Sequence, residues 1–119
     1  MSVLSERDLY ESFRTYGVGS NNMPETELYL PLNHAVDFLN ACVECDFAAA
    51  RVEGFRYENG IFEPRIAWIA DYDGRDPSWI EYQAHANRFV RDFLEDLKRQ
   101  GANVATFVVY SEADYLTLT

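Results

Sequence analysis

The sequence predicts an α+β domain in which helices pack on one face of a small, mainly antiparallel sheet. Two patterns carry this prediction. Two stretches have the apolar spacing of amphipathic helices, and an Asn-Gly pair joins two strand-like stretches as a hairpin. The 119 residues match the common size of one domain and show no internal repeat. We therefore expect a single domain over residues 1–119, with the element order α-α-β-β-α-β.

Two helices are predicted in the first part of the chain. Ser5 can cap a short helix that ends at Gly17. A segment rich in turn-forming residues follows, at positions 19–31. The second helix is predicted over residues 31–44, where apolar side chains recur at the spacing that lines one helix face. These side chains belong to Ala35, Phe38, Leu39, Cys42 and Val43.

A β-hairpin is predicted next, with strands at residues 47–58 and 61–72. Asn59 and Gly60 form its turn, because both central positions of a type I′ turn require a positive φ. The second strand has apolar residues on both faces, so we expect it to be covered on much of both sides. Pro64 cannot donate a ladder hydrogen bond and therefore indicates an edge position or a bulge.

A long helix follows, and its start is open between two signals. Ser78 with Glu81 fits a capping box, whereas Asp76 before Pro77 fits an N-cap with proline at the first helical position. Gly101 ends the helix.

The last part of the chain is predicted to be β-structure. Residues 103–110 are rich in β-formers and apolar on both faces, which predicts a buried strand inside the sheet. A further short strand is predicted at residues 115–118.

The chain is strongly acidic, with 20 acidic and 10 basic residues and a formal net charge of -10. This charge repels nucleic-acid phosphates and would steer a basic partner toward the chain, although solubility alone also explains it. The N-terminus lacks the pattern of a signal peptide, and no apolar run approaches the roughly 20 residues of a membrane span. We expect a cytoplasmic protein that binds neither nucleic acid nor membranes.

The sequence contains no recognised catalytic or cofactor motif. Neither Gly-x-Ser-x-Gly nor a glycine-rich phosphate loop occurs. Cys42 and Cys45 form a lone Cys-x-x-Cys late in a helical pattern, without further metal ligands nearby, so we expect them to be packed thiols. His34 and His85 share no motif. We therefore expect no enzymatic activity, no metal and no cofactor.

The acidic loop before the long helix is the most suggestive segment. It does not continue as an EF-hand, because the twelfth position counted from Asp71 is Tyr82. Two interpretations remain: a strand-to-helix loop with capping acids, or a recognition loop that offers carboxylates and aromatic rings to a basic partner. On the second interpretation, the partner-binding residues are Asp71, Tyr72, Asp73, Asp76, Trp79 and Glu81.

From residue 31 to residue 110 the sequence resembles the immunity-protein-40 family, which is found beside bacterial polymorphic toxins. The resemblance lies in the order of an apolar helix (35–43), Arg51-Val52-Glu53-Gly54, Glu63-Pro64 before Trp68, an acidic loop, Trp79 and Tyr82 on a long helix, and a closing Phe107-Val108-Val109 strand. It implies a cytosolic, non-catalytic inhibitor that binds a cognate toxin. Many toxins of such systems are nucleases, whose clefts must be basic to hold phosphates.

Two other classes of function compete with this one. One is an adaptor that self-associates through the strand at residues 103–110 or through the edge of the hairpin. The other is a small hydrolase-like enzyme whose site uses scattered Asp, Glu and His side chains. The sequence leaves the oligomeric state open.

Overall fold

The computed structural model describes residues 5–19 and 28–118, which form four helices and four strands. They are α1 (Glu6–Phe13, followed by a 3₁₀ turn at Arg14–Tyr16), β1 (Leu30–Pro31), α2 (Leu32–Glu44), β2 (Ala48–Glu58), β3 (Ile61–Asp71), α3 (Trp79–Gln100), β4 (Val104–Tyr110) and α4 (Glu112–Tyr115). The strands form one antiparallel sheet in the order β1-β4-β2-β3. The predicted α+β class is confirmed, with β1 and α4 added to the predicted order. Most of the predicted turn-rich segment, residues 20–27, lies outside the described residues.

Helices α2 and α3 pack against each other and on one face of the sheet. Val52 of β2 and Ala105 and Phe107 of β4 are buried in the core that these helices share. Side chains alternate between the faces of a strand, so their neighbours lie on the opposite face. Four of those neighbours, Arg51, Glu53, Thr106 and Val108, are partly or fully exposed, and Val104 is the buried exception. The prediction that helices cover one face is therefore confirmed.

The contact between α3 and β2 is close because Gly54 has no side chain. A Cβ atom at this position would lie 2.7 Å from Cδ2 of Leu97, which is fully buried. Such a distance is shorter than carbon atoms tolerate. Gly54 therefore lets the helix approach the sheet while Leu97 fills the space above it.

The expectation that the second hairpin strand is covered on both sides is wrong. β3 is an edge strand of the sheet, and Ile66 is 93% exposed whereas Trp68 is buried. The physical reason is a break in the ladder. Residues 65–68 are skipped between the pairs that Pro64 and Ile69 make with β2, so the simple alternation of faces fails there. The edge and bulge predicted from Pro64 are both present.

The local signals for turns and helix starts are confirmed. Asn59 and Gly60 have φ angles of 53° and 79°, as a type I′ turn requires. The open question about α3 is resolved, because the Ser78 side chain accepts a hydrogen bond from the backbone N–H of Glu81 and so forms the N-cap. Gly101 closes this helix with a φ of 97°.

The short strand predicted at residues 115–118 is wrong. Ser111 and Asp114 form a reciprocal capping box, and α4 begins directly after Ser111. A capping box satisfies the free backbone N–H groups of a helix start. It favours a helical turn here over the β-propensity of the residues that follow.

Candidate functional site

A cleft of about 800 Å³ lies at one end of the sheet, between the β3–α3 loop and the C-terminal segment. We call it the tyrosine cleft. Its walls are formed by four tyrosines, two aspartates, one arginine and two leucines: Tyr72, Tyr82, Tyr110, Tyr115, Asp73, Asp76, Arg75, Leu116 and Leu118. Gly74 and Pro77 complete the loop side.

Small residues next to the cleft make room for the rings of Trp79 and Tyr82. Ala48 and Ala50 of β2 and Ala86 of α3 form a separate buried cluster with Trp79 and Tyr82. Because packing in a protein interior leaves few voids, two large rings fit here only where their neighbours are small. The alanines at the start of β2 therefore position Trp79 and Tyr82 at this end of the sheet.

Asp76 joins the loop to the rest of the cleft. Its carboxylate accepts hydrogen bonds from the Tyr72 hydroxyl at 2.6 Å and from Nδ1 of His85 at 2.7 Å. Its main-chain carbonyl accepts a hydrogen bond from the Tyr115 hydroxyl at 2.6 Å. The bonds from Tyr72 and then from His85 lower the pKa of Asp76, because they favour the charged carboxylate. The loop thus carries a fixed negative charge on Asp76, whose side chain is only 13% exposed.

The tyrosine rings pack around this charge. The Tyr82 ring lies 5.4 Å from the Tyr72 ring and 5.0 Å from the Tyr115 ring, centroid to centroid. Burial, followed by the hydrogen bond to Asp76, raises the pKa of Tyr72 to about 12. Burial, followed by the neighbouring Tyr110 and Asp76, raises the pKa of Tyr82 to about 12. These phenols therefore stay neutral at physiological pH.

Further carboxylates lie on α4, the helix that carries the cleft residue Tyr115. Glu112 is exposed on α4, next to the cleft residue Tyr115. Asp114 of the same helix lies close enough to α1 to act on Glu6, because burial and then the charge of Asp114 raise the pKa of Glu6. Several elements thus bring negative charge to the same end of the molecule.

Three of the six residues predicted from the sequence meet in the cleft: Tyr72, Asp73 and Asp76. Asp71 lies outside it, at the end of β3, where it forms an ion pair with Arg51 at 3.3 Å across the hairpin.

The other two predicted residues hold the start of α3 in place. Trp79 is only 7% exposed, and its Nε1 donates a hydrogen bond to Asp46 at 3.3 Å. Glu81 is exposed and binds the capping Ser78 through its backbone N–H and its carboxylate. Some residues of the loop therefore cap or support the helix, while others line the cleft. The prediction of a recognition loop stays a prediction.

Three tyrosines of the cleft and the histidine that binds Asp76 were not among the predicted partner-binding residues: Tyr82, Tyr110, Tyr115 and His85. Tyr82 belongs to the apolar stripe of α3, which predicts a core residue, and its 3% exposure agrees with that stripe. His85 follows Tyr82 by one helical turn, and this spacing places both on the side of α3 that carries the loop. Tyr110 and Tyr115 come from elements distant in sequence, so only the tertiary fold brings them to Asp76.

The described residues hold no cluster of three or more side chains suited to a metal ion, and none of their helices could span a bilayer. Cys42 is buried in the main core, and burial raises the pKa of its thiol well above the ordinary value. Comparison with protein-family models and with curated protein sequences finds no match for this chain.

Proposed function

We propose that this protein binds a basic protein partner through the tyrosine cleft and acts in the bacterial cytosol as an immunity protein that neutralises a toxin. The observation that carries the proposal is the cleft itself, where four tyrosines surround carboxylates of a chain with a net charge of -10.

The charge supports a basic partner. Complementary potentials accelerate association and suppress wrong partners more than they add affinity. A nuclease toxin must keep its own cleft basic to hold phosphates, so an acidic surface can occupy that cleft. The acids around the tyrosine cleft, in the β3–α3 loop and on α4, supply such a surface.

The tyrosines and the fixed loop support a protein interface. Tyrosine is enriched among the residues that dominate binding energy, because its ring buries much area at a small cost in conformational entropy. Asp76 is held by Tyr72, His85 and Tyr115, so the loop loses little freedom on binding. The order of sequence elements adds support for the immunity function, because residues 31–110 resemble the immunity-protein-40 family in that order.

The experiment is a growth-rescue test. Each reading frame that flanks the gene is expressed in a susceptible cell, with and without this protein. We expect one of them to be toxic and this protein to restore growth. The site is tested with the charge reversals Asp73→Lys and Glu112→Lys together, which should weaken rescue. A matched control, Glu63→Lys with Glu95→Lys, changes the net charge equally at exposed positions outside the cleft.

If cells that express a toxic flanking product grow equally poorly with and without this protein, the immunity function is contradicted. Equal rescue by both double variants would contradict the site while leaving the function in place.

A small enzyme is a second candidate, because the Asp76 carboxylate orients the His85 imidazole as in acid–base sites, and that imidazole is 55% exposed. The two candidates separate with His85→Asn, whose amide nitrogen lies at the position of Nδ1 and can still donate a hydrogen bond to Asp76. Binding tolerates this change, whereas acid–base catalysis requires the imidazole. Full rescue by His85→Asn therefore supports binding, and loss of rescue by a folded variant supports the enzyme.

A further inference from the structure

We infer that the tyrosine cleft is a binding site for a guanidinium group, supplied by an arginine side chain of the basic partner. The inference rests on the proposed function only for the source of that arginine. The chemistry of the cleft can be tested without any partner.

The first observation is a tyrosine hydroxyl without a protein hydrogen-bond partner. Tyr82 is 3% exposed, yet its hydroxyl has no hydrogen-bond partner among the described residues. No wholly buried side-chain oxygen or nitrogen in the described part of the chain lacks a partner, so this hydroxyl must reach the surface. Tyr82 lines the cleft, so a ligand bound there can reach this residue. A phenol hydroxyl without a protein partner can both donate and accept, and it can therefore form a hydrogen bond with such a ligand.

The second observation is the charge of the lining. Asp73 and Asp76 carry two negative charges, and Arg75 carries one positive charge, which leaves the lining residues with one net negative charge. Asp76 is held in its ionised form by hydrogen bonds from Tyr72 and His85. A cation therefore fits this cavity better than an anion.

The shape of the lining favours guanidinium over ammonium. Phenol oxygens and carboxylates offer acceptors at several positions, and a guanidinium group has five N–H donors in one plane. The same plane can lie against a tyrosine ring, which adds a cation–π contact. An ammonium group is a compact point charge that keeps its hydration more strongly and matches fewer of these features.

Arg75 provides a discriminating test, because it lines the same cleft and is exposed. It makes no ion pair with any described residue. Toward a guanidinium ligand, Arg75 is a repelling and competing charge, so Arg75→Ala should strengthen binding. Toward an anionic ligand, Arg75 would be the main attraction, so the same change should abolish binding.

The probe is Nα-acetyl-arginine methylamide, followed through the tyrosine ring carbon resonances of the full chain by NMR. A single side chain should bind weakly, with Kd on the order of 1 mM. The neutral citrulline analogue, which has nearly the same shape, tests the role of charge, and inorganic phosphate tests for an anion site. We expect shifts of cleft tyrosines with the arginine probe, and smaller ones or none with the other two.

Tyr82→Phe removes this hydroxyl and keeps the ring. It should weaken binding of the arginine probe roughly fivefold, as expected for one lost hydrogen bond to a charged group in a solvated cleft. The matched control is Tyr57→Phe, a hydroxyl deletion near the opposite end of β2, which should leave binding unchanged.

Three results would overturn the inference. The citrulline analogue could bind as tightly as the arginine probe, phosphate could bind in a way that Arg75→Ala abolishes, or no probe could shift the tyrosine resonances. The proposed function fails differently, through the absence of rescue. Rescue that depends on Asp73 and Glu112 without any arginine binding would overturn the guanidinium site alone. Arginine binding without rescue would uphold the site and remove the immunity function.

Discussion

Asp76 shows how one residue organises a loop that has no regular structure of its own. Its carboxylate and carbonyl together bind side chains from three places in the chain: Tyr72, His85 and Tyr115. Gly74 is part of the same arrangement, because a Cβ atom at this position would collide with the Tyr72 side chain. The loop therefore has one preferred shape, set by a charge and by the absence of a side chain.

Replacing Asp76 by Asn should reveal this charge as a pH dependence of stability. The pKa of Asp76 is lowered in the folded state, so its charge stabilises the fold at all pH values above the unfolded pKa of about 3.9. That contribution disappears as the pH falls through the lowered folded pKa. The difference in Tm between wild type and Asp76→Asn should therefore be constant near neutral pH and shrink below about pH 4.

The measurement is thermal unfolding from pH 7 to pH 2.5. Asp73→Asn makes the same chemical change at an exposed cleft residue and should leave Tm at pH 7 close to wild type. A Tm difference for Asp76→Asn that persists unchanged to the lowest pH would contradict the role given to the charge.

Asn87 is a buried polar residue that holds the start of β2 to α3. Its Oδ1 accepts a hydrogen bond from the backbone N–H of Ala49 at 2.7 Å, and its Nδ2 donates one to the carbonyl of Phe47 at 3.1 Å. Asn87→Ala would leave a buried backbone N–H without its partner, because Ala49 is fully buried. We expect a loss of about 2–4 kcal/mol in the free energy of unfolding. Chemical denaturation measures it.

The exposed Arg88→Ala on the same helix is the control for Asn87→Ala, and it should cost less than about 0.5 kcal/mol. Similar losses in the two variants would show that the Asn87 hydrogen bonds are not what stabilises this junction.

At the scale of elements, predictions succeeded where the signal lies within a few residues. Asn59-Gly60 and Gly101 each specify a backbone conformation directly, through a positive φ. The start of α3 stayed open between Asp76 and Ser78 in the sequence, and the structure shows Ser78 as the N-cap. The strand β3 was predicted correctly, but its coverage on both faces was mispredicted, because an alternating pattern assumes a continuous ladder and residues 65–68 leave it. The exposed Ile66 is therefore a consequence of strand pairing, which a single strand's sequence does not show.

The packing of α3 on β2 should be sensitive to one methyl group. Gly54→Ala places a carbon 2.7 Å from the Leu97 side chain, so either the helix or Leu97 must shift. We expect a loss of about 1–3 kcal/mol, as for other overpacked cores. Urea denaturation would measure this loss.

The cause can be isolated with a double-mutant cycle. Leu97→Ala alone should destabilise by leaving a cavity, and the double variant Gly54→Ala with Leu97→Ala should lose less than the sum of the single losses. Simple additivity would contradict the steric explanation.

At the scale of the whole molecule, the site was only partly accessible from sequence. The acidic loop stood out because aspartates cluster there, and Tyr72, Asp73 and Asp76 do line the cleft. Tyr82, Tyr110 and Tyr115 belong to α3, β4 and the C-terminal segment, and their meeting depends on the order of strands in the sheet. Periodicity assigns each of these residues to an element and gives no information about which elements meet.

Charge is distributed unevenly over the molecule. At the end of the sheet opposite the cleft, basic and acidic residues are paired, since Arg56 forms an ion pair with Glu58 and Arg99 forms one with Asp96. Carboxylates of the β3–α3 loop and α4 lie at the cleft end. On the proposed function, we therefore expect a basic partner to be attracted toward the cleft before any contact forms.

The measurement that tests the central claim most directly is the association rate with the toxin identified by rescue, at low and at physiological ionic strength. Wild type should associate faster at low salt, because salt screens the attraction between exposed charges. The double reversal of Asp73 and Glu112 to Lys should slow association at low salt about tenfold and flatten its salt dependence, whereas reversal of Glu63 and Glu95 should change it far less. Equal rates for the two double variants, or a wild-type rate independent of salt, would contradict binding of a basic partner at the tyrosine cleft.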